Sequence, residues 1–595
     1  MTHLGTRLLF GGSARSSIWI LFLAGFCSSC GNSSTEIPER AFTVAFDGAP
    51  RNIDPLGASS VYSVGVVLAT YETLFEYAYL KDSLDIKPGL ANGMPTISDD
   101  GLQLTVTIRE DSIFADSEIF ADGRGRSVAA RDVAFSLLRH FDESLPGQGA
   151  WLWRDLIEGI REWDGNYDRP PSGIEIVDER TIKFTLTEKS PQFLHTLTTG
   201  YSAVVPTEIG ETDQKKIQYQ SYGSGPFKVS QFDSARVELV RNENYPNRKF
   251  DLSDSGYIAG RHDPRLEKLN GISLPIPDRV TIEFIEDPSS RWISFDNSEL
   301  DSMVIASDFL DPMLEKGEDA TLSSNFRSRF KLNRYLANEV VLLRFNMLDP
   351  ILGLSNDPVE QNYRRRLRCA IARGVDWEKR NKVFYGGEAL LFDGLMPPTL
   401  PEFDANTRFD QQDRRLQSRA LFKELSKERP LPRLTFGHTT SRIQVQNFDL
   451  FRSNLMNLGY PESQIVGVRY ASFGDVLRGA HDGNHQITQS SWTLDYGDAE
   501  NVLQLFYGPN RSPGANISNY DNSDYNELFE RVKVLRPSEI RTELISEMQT
   551  LLADDCPYSG SATRERVVIS QSRIIGNPNH DATKIGRYFM YIGFE

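Results

Sequence analysis

The chain has 595 residues, of which 39% are apolar and 25% are charged, and its formal net charge is −17. A chain of this length and composition can bury a large core over several domains, which excludes global disorder. Proteins that bind nucleic acid non-specifically are basic, so the acidic balance excludes that class. No apolar stretch reaches the roughly 18–20 residues that a membrane-spanning helix needs, which excludes a polytopic membrane protein.

The N-terminus has the pattern of a secretory signal. Arg7 and Arg15 are the only charged residues before Cys30, and Arg15 is followed by an apolar run over residues 18–26. A positive start followed by an apolar run too short to span a membrane is typical of a cleaved signal. We therefore predict that residues 1–29 are removed and that the mature protein acts outside the cytoplasm.

The signal ends at a cysteine that we predict to be lipidated. Ser28 and Ser29 directly precede Cys30 and are small, as in a bacterial lipobox, whereas a bulky aromatic residue precedes Cys27. The alternative is plain secretion with two incidental cysteines. Because bacterial lipoproteins carry two or three acyl chains, such a cysteine would anchor the protein stably to a membrane. Residues 30–39 are then a lipidated tether.

Hydrophobic periodicity predicts strands and helices in mixed order. Alternating patterns predict strands over 43–46, 102–109, 181–186, 280–285 and 340–346. Helical spacing predicts helices over 132–141, 363–374 and 538–554, the last with Ser538 as its N-cap. This mixture favours an α/β protein of two lobes, although periodicity alone leaves the topology open.

After removal of the signal and lipidation of Cys30, only Cys369 and Cys556 remain for disulfide chemistry. Cys369 lies in a helical pattern, as a small core residue would. A disulfide between the two is permitted outside the cytoplasm, but nothing in their spacing requires it. We therefore expect two buried, unpaired cysteines.

Several motifs occur in order along the chain. They are Ile53-Asp54-Pro55 followed by Tyr71-Glu72-Thr73-Leu74-Phe75, a region from Leu90 to Ser136 that includes Phe120-Ala121-Asp122-Gly123, Gly223-Ser224-Gly225-Pro226-Phe227, the helical segment Arg368 to Asp376, and Trp492 to Asn501. Together they resemble the bacterial family-5 extracellular solute-binding proteins, the peptide- and oligopeptide-binding components of ABC importers. The resemblance extends over nearly the whole mature chain.

This resemblance implies an α/β, two-lobed, periplasmic-binding-protein-like fold with a discontinuous first lobe and an additional inserted domain. On this basis lobe I comprises residues 40–85, 176–285 and 545–595, the inserted domain II residues 86–175, and lobe III residues 286–544.

The sequence gives little indication of catalysis or of a bound metal. It contains no Gly-x-Ser-x-Gly elbow, His-Glu-x-x-His motif, phosphate-binding loop or dinucleotide fingerprint, so we expect no enzyme and no cofactor. His481 and His485 have a spacing that can bind a metal on a helix, but the Asp-Gly-Asn between them favours a solvated turn. We therefore predict no metal site.

One segment contains all the groups that a peptide receptor needs. Such a receptor requires an acid for the ammonium group, a strand edge for the backbone and permissive pockets for side chains. Trp492 and Tyr496 can form walls around Asp495, which matches the position that binds the α-ammonium in peptide-binding members of the family. The alternative is that Asp495 caps a turn and Trp492 belongs to the core.

Further contacts with the ligand are expected from other segments. The small residues Ser59 and Ser60, with Val61, leave room for a ligand backbone on the opposite lobe. Arg442 and Arg478 are candidates for a peptide carboxylate or an acidic side chain of the ligand, with exposed surface ion pairs as the alternative.

The sequence thus predicts a monomeric, lipid-anchored receptor on the outer face of the cytoplasmic membrane or at the outer membrane. It would capture short peptides and deliver them to the permease and ATPase subunits of an ABC importer, with no role for nucleic acid. The alternatives are the same fold binding an oligosaccharide or a metal chelate, and a signalling lipoprotein without a transporter. A secreted hydrolase would need a nucleophile or metal motif, and we find none.

Overall fold

The computed structural model describes residues 40–57, 60–81, 85–212, 214–315, 321–405, 409–512, 514–576 and 586–595. Residues Arg40–Glu595 form one compact unit. The predicted signal peptide, Cys30 and the tether lie outside the described residues. Among the helices that the structure describes, none is both long and apolar enough to cross a membrane.

The described strands alternate with helices along the whole chain. They are β1 Ala41–Phe46, β2 Phe75–Tyr77, β3 Ile86–Pro88, β4 Thr96–Ile97, β5 Gln103–Thr107, β6 Ile174–Ile176, β7 Thr181–Thr185, β8 Phe227–Phe232, β9 Arg236–Arg241, β10 Arg279–Phe284, β11 Ser302–Val304, β12 Phe330–Leu336, β13 Glu339–Phe345, β14 Ala389–Leu391, β15 Leu434–Thr439, β16 Ile465–Tyr470, β17 Ile487–Thr493, β18 Tyr558–Gln571, β19 Ile574–Ile575 and β20 Gly593–Phe594. The five strands expected from alternation are confirmed as β1, β5, β7, β10 and β13.

Helices range from a single turn to five turns. They are α1 Val61–Thr70, α2 Ala130–Leu138, α3 Phe193–Thr196, α4 Gln214–Ile217, α5 Leu252–Ser255, α6 Pro288–Asp296, α7 Ser307–Leu310, α8 Ser324–Arg327, α9 Pro358–Gly374, α10 Trp377–Tyr385, α11 Gln411–Glu428, α12 Arg442–Met456, α13 Phe473–His481, α14 Glu500–Leu503, α15 Ser523–Val532 and α16 Glu539–Asp555. The three expected helices are confirmed as α2, α9 and α16. Ser538 caps α16, because its side chain accepts a hydrogen bond from the Arg541 backbone N–H.

A mixed sheet of twelve strands forms the frame of the molecule. Its order is β16-β15-β17-β13-β18-β11-β1-β10-β9-β8, with β12 and β14 also paired to β18. The long strand β18 pairs with β13 and β14 through its first half and with β11 and β12 through its second half. One continuous strand therefore connects two parts of the sheet. A separate sheet in the order β4-β5-β7-β6 lies within residues 96–185.

Buried apolar side chains form distinct clusters on this frame. The large core draws its residues from 340–562, and the small-sheet core draws residues from 74–204 together with Tyr496. A third cluster combines residues between 42 and 282 with residues 574–592. The fold class inferred from the sequence is therefore confirmed at the level of a mixed α/β architecture built on more than one core.

The position of α16 bears on the lobe boundaries. Its inward residues Leu544, Ile545, Met548 and Leu552 pack in the large core. A boundary at residue 544 would divide this helix, and a boundary at 286 would separate β11 and β12 from the half of β18 with which they pair. The lobe boundaries themselves stay a prediction.

The two remaining cysteines are bridged, so the expectation that they are unpaired is wrong. Cys369 on α9 and Cys556 directly after α16 form a disulfide with their Cα atoms 5.2 Å apart. Both residues belong to the large core. The bridge joins two helices that are far apart in sequence, and helix spacing alone does not reveal such a contact.

Candidate functional site

A cavity of about 950 Å³ lies between the large core and the small-sheet core. Residues 151–156 and 188–201 line one side of it. Strands β13 and β17 and residues 495–533 line the other side. This volume falls within the roughly 300–1,000 Å³ typical of ligand pockets, so the cavity can hold a small solute.

Asn501 fixes the geometry of the predicted Trp492–Tyr496 segment. Its buried side-chain oxygen accepts hydrogen bonds from Trp492 Nε1 at 2.9 Å and from the Asp495 backbone N–H at 3.2 Å. Its amide nitrogen donates to Asp495 Oδ2 at 3.4 Å. The indole and the carboxylate are therefore held in place beside the cavity by one buried amide.

Asp495 lines the cavity and is only partly exposed. Burial raises the pKa of its carboxyl to about 6, and the hydrogen bond from Asn501 offsets only part of this effect. Among the described residues, no lysine, arginine or histidine lies within ion-pairing distance of Asp495. A partly desolvated carboxylate with no cation is costly, and a cationic group on a ligand would relieve that cost.

Tyr496 reaches across to the opposite side of the cavity. Its ring is buried in the small-sheet core, and its hydroxyl donates to Glu500. Burial raises the pKa of Glu500 to about 7. The backbone N–H of Gly497, which follows Tyr496 in the sequence, donates to the Tyr77 hydroxyl at 3.3 Å. Tyr496 therefore joins the two sides of the cavity as well as forming part of its wall.

Two further contacts connect the sides. Lys533 Nζ lies 2.9 Å from Glu188 Oε1, and Gln192 Nε2 donates to Asp498 Oδ1 at 3.4 Å. Asp498 is also paired with the buried Arg541. These two contacts are polar, whereas the buried Tyr496 ring is an apolar contact between the same two sides.

Arg344 is a cavity residue that the motif analysis missed. It occupies the penultimate position of β13, where all seven residues are buried, and its Nη2 donates to Ser490 Oγ at 2.6 Å. A single arginine within the otherwise apolar run Val340–Phe345 is the sequence signal that marks it.

The structure does not bring all predicted residues to the cavity. Ser59 lies outside the described residues, whereas Ser60 caps α1 and Val61 begins that helix, and neither lines the cavity. Arg442 is exposed at the start of α12. Arg478 is exposed and pairs with Asp475 on α13. Neither arginine lines the cavity. For Arg478 the alternative interpretation, a surface ion pair, is the one that the structure shows.

The two histidines considered for a metal site make separate contacts. His481 ends α13 and lies 2.7 Å from Ser512 Oγ. His485 is buried between Tyr470 and Thr488. In the part of the chain that the structure describes, no three or more His, Cys, Asp or Glu side chains form a group that could hold a metal ion.

Comparison with known proteins agrees with the fold. The family model described as "bacterial extracellular solute-binding proteins, family 5 Middle" matches residues 85–514 of this chain. The chain belongs to this family. The resemblance noted from the motifs is thereby confirmed, and the protein is placed among solute-binding proteins of the cell exterior and periplasm.

Individual relatives match over most of their length. The di/tripeptide-binding protein 1 of Pseudomonas aeruginosa (strain UCBPP-PA14) is 23% identical over 86% of this chain and 87% of its own length. The dipeptide-binding protein of Escherichia coli (strain K12) is 21% identical over 88% of this chain and 89% of its own length. The periplasmic binding protein DppA of Helicobacter pylori, solved with the peptide STSA, superposes with a TM-score of 0.70 at 20% identity, over 93% of this chain and 98% of that one. The similarity to DppA shows the fold.

Proposed function

We propose that this protein is an extracytoplasmic receptor that captures short peptides in the cavity and delivers them to an ABC importer. The observation that carries the proposal is Asp495, a partly desolvated carboxylate that lines the cavity and has no cationic partner among the described residues. A peptide α-ammonium supplies one positive charge and three hydrogen-bond donors, which this carboxylate lacks.

The surroundings of Asp495 support the same reading. Trp492 and Tyr496 give the cavity an aromatic wall, which can accept varied side chains without reading them closely. Ser491, an exposed residue of β17, lines the cavity near them. Relatives that match over most of this chain are named as dipeptide- or di/tripeptide-binding proteins.

Capture would proceed by closure of two lobes. We propose that the lobes meet at crossings near residue 337 and within β18, and that the inserted domain lies around β4–β7. Lys533–Glu188 and Gln192–Asp498 are then contacts of the closed form. A ligand that binds both sides stabilises that form over the open one.

The mature chain is further proposed to be a monomer anchored by acyl chains on Cys30 after removal of residues 1–29. Fractionation of cells that carry Cys30→Ala tests this, with release of the protein from membranes as the expected outcome. Retention of that variant, with release by Cys27→Ala, would assign the anchor to the other cysteine.

Thermal unfolding with defined probes tests the peptide-binding function. Trialanine should raise the melting temperature of the purified protein, because a ligand that binds only the folded state stabilises it. N-acetyl-trialanine amide and maltotriose serve as matched controls without the two terminal charges. A shift with maltotriose and none with a panel of di- to pentapeptides would contradict the proposal.

A further inference from the structure

Arg344 has unused hydrogen-bonding capacity inside the cavity. Only 4% of the residue is exposed, and its Nη2 donates to Ser490. Its Nε and Nη1 are buried and find no acceptor in the described residues. No carboxylate in the described ranges lies within ion-pairing distance of it.

Three other buried arginines have more partners within the protein, although Arg368 Nη2 also lacks an acceptor. Arg139 makes two hydrogen bonds to Asp54, at 2.8 and 2.7 Å. Arg541 pairs with both Glu402 and Asp498. Arg368 has no acidic partner but donates to three backbone carbonyls. None of these three lines the cavity, so Arg344 combines burial, incomplete pairing and access to the cavity.

The charge of Arg344 is retained in this setting. Burial lowers the pKa of its guanidinium to about 10, which still leaves the group protonated at neutral pH. A buried and unpaired cation is unfavourable, and an anion that approaches through the cavity would remove that penalty. His481, which lines the same cavity, feels the positive charge of Arg344.

The cavity thus contains two incompletely paired charges of opposite sign. Arg344 contacts Ser490 on β17, and Asp495 follows five residues later along the same chain segment. An extended chain rises at most about 3.3–3.6 Å per residue, so the Cα atoms of Ser490 and Asp495 are at most about 18 Å apart. A short extended peptide can therefore place its ammonium group near one charge and a carboxylate near the other.

We propose that Arg344 is the receptor for a carboxylate of the bound solute, so that the protein favours short peptides that carry a carboxylate as well as an ammonium group. The inference rests on the proposed function and names its substrate class. Guanidinium groups pair well with carboxylates through several N–H donors, which suits the two unused nitrogens. The carboxylate is supplied either by the C-terminus of the peptide or by an acidic side chain.

Calorimetric titration with three probes separates these sources. The probes are trialanine, trialanine amide and Ala-Asp-Ala amide, each titrated into the original protein, Arg344→Gln and the control Arg478→Gln. Loss of one partner of a buried charge pair costs at least about 2 kcal/mol, or about 30-fold in affinity. Arg344→Gln should impose this loss on trialanine and leave trialanine amide unchanged if the C-terminus is bound.

The other outcomes have defined meanings. A selective loss for Ala-Asp-Ala amide assigns Arg344 to an acidic side chain and supports the carboxylate receptor. Equal losses for all three peptides, or no loss for any, overturn it. Arg478→Gln should bind every probe like the original protein, because Arg478 pairs with Asp475 on the surface.

A second measurement keeps the inference testable if no peptide binds, an outcome that would contradict the proposed function alone. Sodium glutarate, compared with sodium chloride of equal ionic strength, should raise the melting temperature of the original protein and of Arg478→Gln but not of Arg344→Gln. Equal stabilisation of all three overturns the carboxylate receptor.

Arg344→Met should unfold at the same or a higher temperature without ligand, because it removes an unpaired buried charge. A large decrease would make Arg344 structural and overturn the inference.

Discussion

Arg344 and Arg541 are both buried arginines within residues 340–562, but they differ in whether the protein compensates their charge. Arg541 lies between Glu402 and Asp498, so its charge is compensated by the protein. Arg344 has one hydroxyl partner and two nitrogens without acceptors among the described residues. A compensated buried charge contributes to the scaffold, whereas an uncompensated one beside a cavity indicates a ligand. Asp495 belongs to the second kind.

The largest expected effect comes from removing the compensated charge. Arg541→Met leaves Glu402 and Asp498 buried without their cation, and we expect a loss of about 3–5 kcal/mol in the free energy of unfolding. Urea unfolding followed by circular dichroism measures it. Arg344→Met is the matched control, since it removes an arginine from a buried site without stranding a carboxylate. Equal destabilisation by the two changes would remove the distinction between them.

Asp495→Asn should have the next largest effect, and on binding rather than on stability. It keeps the shape and removes the charge, so affinity for trialanine should fall by about 2–5 kcal/mol, or at least about 30-fold. N-acetyl-trialanine should bind the original protein weakly and bind the variant about equally weakly. Calorimetry of these four pairs measures the difference, with Asp449→Asn on the exposed face of α12 as the control. Equal losses for both peptides would make Asp495 structural.

The pH dependence of binding follows from the raised pKa of Asp495. The ammonium group of a peptide pairs with the carboxylate form, so affinity should decrease as the pH falls below about 6, by up to about tenfold per pH unit. The peptide amine stays protonated over this range. Glu500, with a pKa near 7, lies in the same cavity, so the assignment depends on comparison with Asp495→Asn. The same decrease in that variant would exclude Asp495 as its cause.

Linkage gives the opposite sign for the stability of the ligand-free protein. Because the pKa of Asp495 is higher in the folded state than in the unfolded chain, this group favours folding most strongly below about pH 4. Its contribution is lost as the pH rises toward 6. Melting temperatures of the original protein and of Asp495→Asn across this range should therefore diverge as the pH rises.

The smallest expected effect concerns the contact between Lys533 and Glu188. Both side chains are partly exposed, so the pair should contribute at most about 1 kcal/mol to the closed form, or about fivefold in peptide affinity. Lys533→Met and Glu188→Gln should give similar losses of peptide affinity, and the double variant should lose little more affinity than either single variant. Because salt screens exposed charges, the difference should shrink at high ionic strength. Fully additive losses would show that the pair does not act as a unit.

Local pattern predicted the elements around the site but only part of its chemistry. Alternation identified the strand that became β13, and the motif around Asp495 indicated a carboxylate beside aromatic side chains. Whether Arg344 is paired depends on which side chains the fold places around it, and periodicity contains no such information. The disulfide between Cys369 and Cys556 was missed for the same reason, since it depends on how α9 and α16 pack.

The cavity itself combines distant parts of the chain. Residues 151–156 and 188–201 form one wall and β17 forms part of the other, and no local signal connects these segments. The lobe boundaries expected at 286 and 544 came from the family resemblance. The crossings that we propose farther along the chain rest on the packing of α16 and the pairing of β18.

The most direct test of the account is mass spectrometry of small molecules released from the purified, untreated protein. The account predicts a set of short peptides with free amino groups and carboxylates, present in the original protein and depleted in Asp495→Asn. A bound oligosaccharide or metal chelate, retained equally by both proteins, would contradict it.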